Sequence, residues 1–165
     1  MKLSESIGVP MAEEKHVEND YRDFIDLLNK NKVDYIIIGA YSTIFHTKIA
    51  RETQDIDFWI RKTESNAERC VAAIKDFCGL DIDKNELMGD KEIFFIGQAP
   101  NRIDIFNMQG KMSFEEAFSR KNIGTFKGTQ AYFIAKDDLI KLKEYFGRDQ
   151  DTKDLIRLKK LSKRD

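Results

Sequence analysis

The sequence predicts an α+β domain in which a mixed β-sheet is flanked by helices, with further helices at the C-terminus. Short apolar runs of strand length alternate with amphipathic stretches, but not in a regular strand–helix–strand rhythm. The runs at 93–96 and 102–106 are joined by a turn-rich connection, which favours a hairpin. A chain of 165 residues suits one domain. We expect a flexible N-terminal arm at 1–16 and a single domain at 17–165.

In the first half of the chain, helices and strands alternate. Apolar residues spaced for one helix face predict a helix at 17–29. The run 33–38 is rich in β-branched residues and predicts a buried strand that ends at a glycine. That glycine begins a predicted short helix at 40–47. A second strand is predicted at 55–60, where polar and apolar side chains alternate.

The second half adds helices and completes the sheet. An apolar stripe followed by a glycine predicts a helix at 64–78. After the hairpin, Ser113 is placed to cap a short helix. The run 131–134 predicts the last strand. Two helices split by a glycine are predicted at 137–146 and 151–161.

Composition restricts the classes of function. The net charge of −1 does not indicate a general nucleic-acid binder. No stretch is apolar enough to cross a membrane and no signal-peptide pattern is present, so we expect no membrane partner and a cytoplasmic location. Cys70 and Cys78 lie eight residues apart in one predicted helix, which fits neither a zinc motif nor a disulfide framework. We expect both to be core thiols.

Acidic residues in two predicted strands are the most informative feature. Asp55 and Asp57 share one strand face because side chains alternate. Asp104 interrupts a strand that is otherwise apolar around it. Carboxylates are preferred ligands of Mg²⁺, and two on one strand face suit the spacing of two-metal phosphoryl chemistry. The alternative is that these acidic residues are exposed surface positions without a ligand.

A glycine upstream supports the metal interpretation. Gly39 ends a buried strand and starts a helix, where unpaired backbone N–H groups and a partial positive charge suit a phosphate. A glycine there also lets a ligand approach the backbone closely. The strand that contains Asp55 and Asp57 begins sixteen residues later. The sequence therefore predicts a phosphate site beside a cation site.

These residues resemble the DNA polymerase β-like nucleotidyltransferase superfamily. Its first motif is an apolar residue, Gly, then Gly or Ser, followed after a loop by Asp, apolar, Asp or Glu, apolar. More narrowly, the chain resembles small bacterial nucleotidyltransferases found among abortive-infection toxins and minimal nucleotidyltransferases. The strings that carry this resemblance are Ile38-Gly39-Ala40-Tyr41-Ser42, Phe45-His46, Arg51-Glu52-Thr53-Gln54-Asp55-Ile56-Asp57-Phe58, Leu139-Ile140-Lys141-Leu142-Lys143 and Gly147-Arg148-Asp149-Gln150-Asp151-Thr152-Lys153-Asp154-Leu155. The later carboxylate of the family matches Asp104.

The resemblance implies a nucleotidyltransferase-like sheet and a metal-dependent transfer of a nucleoside monophosphate from a nucleoside triphosphate to a hydroxyl, releasing pyrophosphate. It implies that Asp55, Asp57 and Asp104 are catalytic and hold Mg²⁺ as two ions, in the family's manner, with Mn²⁺ as a substitute. The acceptor is a protein, an RNA or a small molecule, and a partner protein chain is a further expectation. The residues expected to contact the nucleotide are Gly39, Ala40, Ser42, Arg51, Thr53 and Lys143.

Several residues keep two interpretations. His46 is either a substrate contact or a packed, hydrogen-bonded side chain. For Arg148, Asp151 and Asp154 we favour a structural ion-pair network between the last two helices, and we expect Trp59 to be a core residue.

One residue departs from the family pattern. Ala40 stands where the family has Gly or Ser, so it supplies no hydroxyl, and Ser42 is the nearby hydroxyl that would replace it. This departure supports an alternative function, a catalytically weak or inactive nucleotidyltransferase-fold binding protein such as a toxin–antitoxin component.

Overall fold

The computed structural model describes the backbone of residues 11–164 and the side chains of residues 16–161. Six strands are present in this part of the chain: β1 Tyr35–Ile38, β2 Asp55–Ile60, β3 Ile93–Ile96, β4 Arg102–Phe106, β5 Asn122–Phe126 and β6 Thr129–Phe133. The α-helices of the same part are α1 Met11–Lys30, α2 Gly39–Thr47, α3 Glu64–Cys78, α4 Phe114–Ser119, α5 Lys136–Phe146 and α6 Asp149–Arg164. A short 3-10 helix spans Lys84–Glu86.

The strands form one mixed sheet in the order β3-β4-β2-β1-β6-β5. Strand β1 runs antiparallel to β2 and parallel to β6. Strand β2 runs parallel to β4, and the outer pairs β3–β4 and β5–β6 are antiparallel hairpins. The predicted α+β class, the mixed sheet and the hairpin are confirmed.

Each face of the sheet packs against its own set of helices. Helices α1 and α3 cover one face, where Ile37, Phe58 and Ile105 lie in the larger core cluster. Helices α4, α5 and α6 cover the other face, where Ile36 and Trp59 are buried. Trp59 is therefore a core residue, as predicted. Burial of apolar area on both faces at about 25 cal/mol per Å² holds these layers together.

The largest differences from the sequence-based expectations lie at three elements. Helix α1 begins at Met11, so it extends six residues into the predicted arm, while residues 1–10 of that arm lie outside the described residues. Helix α6 is longer at both ends than the predicted 151–161. Strand β5 was not predicted, because its side chains are mostly exposed and it gains its place by pairing with β6.

The prediction of two core thiols is wrong for Cys78. Cys70 is fully buried, which raises its pKa to about 12. Cys78 is exposed in the last turn of α3, where its Sγ donates to the carbonyl oxygen of Ile74 at 3.4 Å. Ile74, one turn before Cys78, is the last buried residue of α3, so the thiol projects past the core. Among residues 11–164, no helix has both the length and the apolar character of a membrane span.

Candidate active site

Three carboxylates meet on one face of the sheet because β2 and β4 are neighbouring parallel strands. The register pairs Asp57 with Asp104 and Asp55 with Arg102. Alternation along β2 places Asp55 on the same face as Asp57. One carboxylate oxygen from each of Asp55, Asp57 and Asp104 lies within 4.8 Å of the other two. We call these three residues the acidic triad. The sequence predicted that they would lie close together, and in the structure they do.

Gly39 packs directly against the triad. Its neighbour Ile38 pairs with Asp57 across the antiparallel β1–β2 ladder. Gly39 has a φ of +69°, in the left-handed region, and a Cβ built at this position would overlap Oδ2 of Asp57. Glycine is therefore required twice, for the backbone conformation and for the space that the carboxylate fills.

The triad carboxylates repel one another. Burial raises the pKa of Asp57 well above its ordinary value, and the charges of Asp55 and Asp104 raise it further. Burial and the Asp104 charge also raise the pKa of Asp55, although Arg102 opposes this effect. Without an added cation, the fully ionised triad is therefore an unfavourable state.

Arg102 is a residue of the site that sequence reasoning missed. Its Nη2 donates to Oδ2 of Asp55 at 2.9 Å and to Oδ2 of Asp104 at 3.0 Å, while its Nε donates to Oδ1 of Asp104 at 2.7 Å. Its guanidinium carbon lies 4.6 Å from the centre of the Phe95 ring. The signal was present in the sequence, since Arg102 lies two residues before Asp104 and so shares its strand face.

The donor set of the triad fits a hard divalent cation. Carboxylate oxygens are the ligands that Mg²⁺ prefers, and it is commonly held by one or two carboxylates together with water and substrate phosphates. The triad already attracts one positive group, the guanidinium of Arg102. Asp55, Asp57 and Asp104 are the residues that would hold the metal.

Two further residues support the carboxylate-bearing strands. The predicted hydrogen bond of Thr53 to the backbone near Asp55 is present, because its Oγ1 donates to the carbonyl oxygen of Asp55 at 2.9 Å. Tyr21 of α1 donates its hydroxyl to the carbonyl oxygen of Arg102 at 3.2 Å. Burial raises the pKa of Tyr21, and the negative charges of the triad, Asp55 first, raise it further. Tyr21 therefore stays protonated and works as a donor that fixes the start of β4.

The start of α2 offers backbone N–H groups rather than side chains. Its N-cap residue, Ile38, makes no side-chain cap hydrogen bond, so the first N–H groups of the helix are left to other partners. Ala40 is 7% exposed. Ser42 is fully buried and donates its hydroxyl to the carbonyl oxygen of Gly39 at 2.7 Å, so this hydroxyl is used inside the helix.

His46, at the other end of α2, is a packed, hydrogen-bonded side chain. Its Nε2 lies 2.7 Å from the carbonyl oxygen of Ile134, which can only accept, so Nε2 carries the proton. Burial lowers the pKa of His46 and favours the neutral ring. A contact between His46 and a substrate stays a prediction.

Arg51 and Lys143 meet on a buried carboxylate between α2 and the C-terminal helices. Arg51 binds Asp154 through two nitrogens, at 3.2 Å and 3.1 Å. Lys143 lies 2.9 Å from Asp154 and 3.4 Å from Asp151, and Arg148 lies 2.7 Å from Asp151. We call these five residues the C-terminal ion-pair network. The ion-pair network expected around Arg148, Asp151 and Asp154 is present, with Arg51 and Lys143 as additional members.

The two carboxylates of the C-terminal ion-pair network are stabilised in their ionised form. Burial alone would raise the pKa of Asp154, but the hydrogen bonds from Arg51 and Lys143 outweigh it, and the pKa lies below its ordinary value. The same balance holds for Asp151, where Arg148 supplies the first lowering contribution. The positive charge of Arg148 also acts on Asp57, so the network faces the triad.

A groove of about 800 Å³ opens beside the edge strand β3. It reaches the β3–β4 turn at Gly97 and Asn101, immediately before Arg102. Its lining includes three carboxylates and several apolar side chains: Asp20, Asp23, Asp76, Leu27, Phe77, Leu80, Phe95 and Ile103. This volume lies in the range of small-molecule sites.

The fold is similar to that of solved nucleotidyltransferases. The lincosamide antibiotic adenylyltransferase LnuA, solved with lincomycin bound, is similar with a TM-score of 0.60 and 18% identity, covering 86% of this chain and 96% of that chain. An antigenic nucleotidyltransferase-like protein from Paracoccidioides brasiliensis has a TM-score of 0.54 and 12% identity, covering 88% of this chain and 76% of that one. At these identities the likeness establishes the fold.

The chain belongs to the family described as nucleotidyltransferase of unknown function (DUF6036), whose model matches residues 19–164. A comparison with curated proteins finds no significant match. The family and the fold together support nucleotidyl transfer as the general activity.

Proposed function

We propose that this protein is a metal-dependent nucleotidyltransferase that moves a nucleoside monophosphate from a nucleoside triphosphate to a hydroxyl acceptor and releases pyrophosphate. The observation that carries the proposal is the acidic triad, whose oxygens lie within 4.8 Å of one another beside the Gly39 helix start. Three carboxylates this close are unfavourable without a cation, and a cation there is what phosphoryl transfer needs.

The residues divide the work of the reaction. When bound at the triad, Mg²⁺ or Mn²⁺ would neutralise charge that develops on the phosphates. The backbone N–H groups at the start of α2, next to Gly39, bind the phosphates. Asp104 accepts the proton of the acceptor hydroxyl. The hydroxyl oxygen forms a bond to the α-phosphorus, the bond between the α- and β-phosphates breaks, and pyrophosphate leaves.

Arg51 and Lys143 keep their predicted role as nucleotide contacts in this proposal. Both are positively charged and meet at Asp154, on the side of the sheet that carries the triad. Thr53 contributes indirectly, because it fixes the backbone of Asp55.

For the acceptor, we propose a small hydroxyl-bearing molecule rather than a protein or an RNA. The groove beside β3 has the volume of a small-molecule site, but it opens on the α1–α3 face of the sheet, opposite the triad, so it is not itself the support for this choice. The similar adenylyltransferase LnuA was solved with lincomycin, a small molecule. A partner chain and a cytoplasmic location stay predictions.

The test is release of pyrophosphate by the purified protein. It is incubated with Mg²⁺ or Mn²⁺, each of the four nucleoside triphosphates and a panel of small hydroxylated acceptors, with an extract of protein and RNA as a separate arm. Product labelled from an α-³²P nucleotide supports transfer, and its size identifies the acceptor class. A binding protein without turnover, the alternative that Ala40 supports, would bind nucleotide and release no pyrophosphate in any arm.

A further inference from the structure

Arg102 binds two of the three triad carboxylates at the same time. A single nitrogen, Nη2, lies 2.9 Å from an oxygen of Asp55 and 3.0 Å from an oxygen of Asp104. Because Nε also donates to the second oxygen of Asp104, both oxygens of that carboxylate accept from the guanidinium. The positive group therefore lies between two of the residues that would hold the metal.

A guanidinium and a divalent cation cannot both occupy this place. Mg²⁺ needs its oxygen ligands at about 2.0–2.1 Å, and a metal that bridges Asp55 and Asp104 would use the oxygens that Nη2 now contacts. The two positive groups would also repel each other at that separation. Metal binding to the two carboxylates thus requires that Arg102 moves away.

Arg102 has room to move. Its side chain is 34% exposed, whereas that of Asp104 is 4% exposed. The guanidinium also lies over the ring of Phe95, which is 46% exposed on the edge strand β3. An aromatic face at the rim attracts a cation, so the guanidinium can leave the carboxylates without leaving the protein surface.

We propose that Arg102 is a resident counter-cation of the acidic triad, which a divalent metal must displace from Asp55 and Asp104. In the absence of metal it holds the two carboxylates together and offsets their repulsion. It thereby weakens the affinity of the triad for the free metal ion. The inference rests on the proposed function, because it assumes that the triad binds metal.

The test compares Arg102→Gln with Arg120→Gln. Arg120 is a matched control, since its guanidinium also makes two hydrogen bonds to one buried carboxylate, that of Asp138, away from the triad. Mg²⁺ binding is measured by titration calorimetry and Mn²⁺ binding by electron paramagnetic resonance, without nucleotide. We expect Arg102→Gln to bind metal roughly tenfold more tightly than wild type, and Arg120→Gln to equal wild type.

Arg102→Lys keeps the charge but loses the two-pronged geometry, so its metal affinity should lie between wild type and Arg102→Gln. If thermal melting shows that Arg102→Gln does not fold, the metal affinity of Arg102→Lys tests the inference in its place. Equal or weaker metal binding by the Arg102 variants would overturn the inference, because Arg102 would then position the ligands rather than compete. If wild type and both variants bind no metal, the proposed function fails together with the inference.

Discussion

Buried and half-buried aspartates cluster in two regions of this molecule, and their charges are balanced in opposite ways. In the C-terminal ion-pair network, the carboxylates of Asp151 and Asp154 are met by three cationic side chains, and their pKa values lie below the ordinary range. In the acidic triad, the guanidinium of Arg102 meets two of the three carboxylates, those of Asp55 and Asp104, and the pKa values of Asp55 and Asp57 are raised.

The comparison separates carboxylates whose charge the fold neutralises from carboxylates whose charge it does not. The network supplies its own counter-charges, so it joins the loop after α2 to the C-terminal helices and needs no added cation. The triad carries more negative charge than the protein neutralises, so an added cation relieves repulsion that folding has created. Removing one carboxylate should therefore have opposite effects on stability in the two regions, and the stability of such variants tests the comparison.

The largest effect is expected for Asp57→Asn, which should lower the rate of pyrophosphate release at least about a thousandfold. The amide keeps the shape of the side chain but removes the charge that holds the metal. Because the ionised form of Asp57 is unfavourable in the folded protein, the melting temperature without metal should not fall. Activity is followed by a pyrophosphate assay and stability by circular dichroism.

Asp26→Asn is the control for that variant, because Asp26 is an exposed carboxylate on α1 away from the triad and outside the groove beside β3. It should leave the transfer rate unchanged. Full turnover by Asp57→Asn would remove the metal assignment, and a large loss of stability would remove the contrast with the C-terminal network.

The next effect concerns the network. Asp154→Asn should lower the free energy of unfolding by about 3 kcal/mol, because it leaves Lys143 buried without its closest carboxylate. Urea unfolding measures the change. Gln150→Ala is the matched control, since Gln150 also contacts Asp154, at 3.3 Å, but is exposed and neutral. If both variants unfold at the urea concentration of wild type, the network does not stabilise the fold as argued.

Gly39→Ala tests the contact between the α2 start and the triad. The new methyl group meets both a left-handed backbone and the Asp57 carboxylate. The variant should therefore lose more free energy of unfolding than the about 1–2 kcal/mol that one residue in a left-handed conformation costs. Gly128→Ala has a φ of +83° but open space around the added Cβ, so it reports the backbone strain alone. Equal stability losses in the two variants would show that Asp57 does not need the space.

A structural feature can be predicted from the sequence when the residues that cause it lie within one short stretch of the chain. Strand β2 and helix α3 could be predicted, because side-chain alternation and helical periodicity are visible within short segments of the sequence. Asp104 could be assigned to the triad because it interrupts an apolar strand. The partners of Lys143 could not be predicted, since they come from another helix and become close only through packing.

Strand β5 shows the same limit in a different form. Its sequence, Asn122 to Phe126, has no clear apolar alternation, and it becomes a strand because β6 supplies the hydrogen-bonding partner. Arg102 is the instructive exception, because its place beside Asp104 follows from alternation alone. The ion pair could have been predicted by considering Arg102 together with Asp104.

The smallest expected effect is a dependence of metal binding on pH. The pKa of Asp57 is higher in the folded protein than its ordinary value of 3.8, so above pH 3.8 the metal-free folded state holds more protons than the unfolded state. The stability that Asp57 contributes therefore falls as pH rises from 3.8 through the raised pKa. Metal binding needs the ionised carboxylate, so it should release up to about one proton per ion and remove this fall.

Titration calorimetry in two buffers of different ionisation enthalpy counts the released protons, and melting temperatures with and without Mg²⁺ follow stability across the same pH range. The stabilisation by Mg²⁺ should grow as pH rises through the raised pKa of Asp57, and it should lose most of this dependence in Asp57→Asn. The C-terminal network behaves in the opposite sense, because its carboxylates have lowered pKa values and lose their stabilising charge as pH falls. Metal binding without proton release would mean that the triad is already ionised, and that Arg102 alone balances its charge.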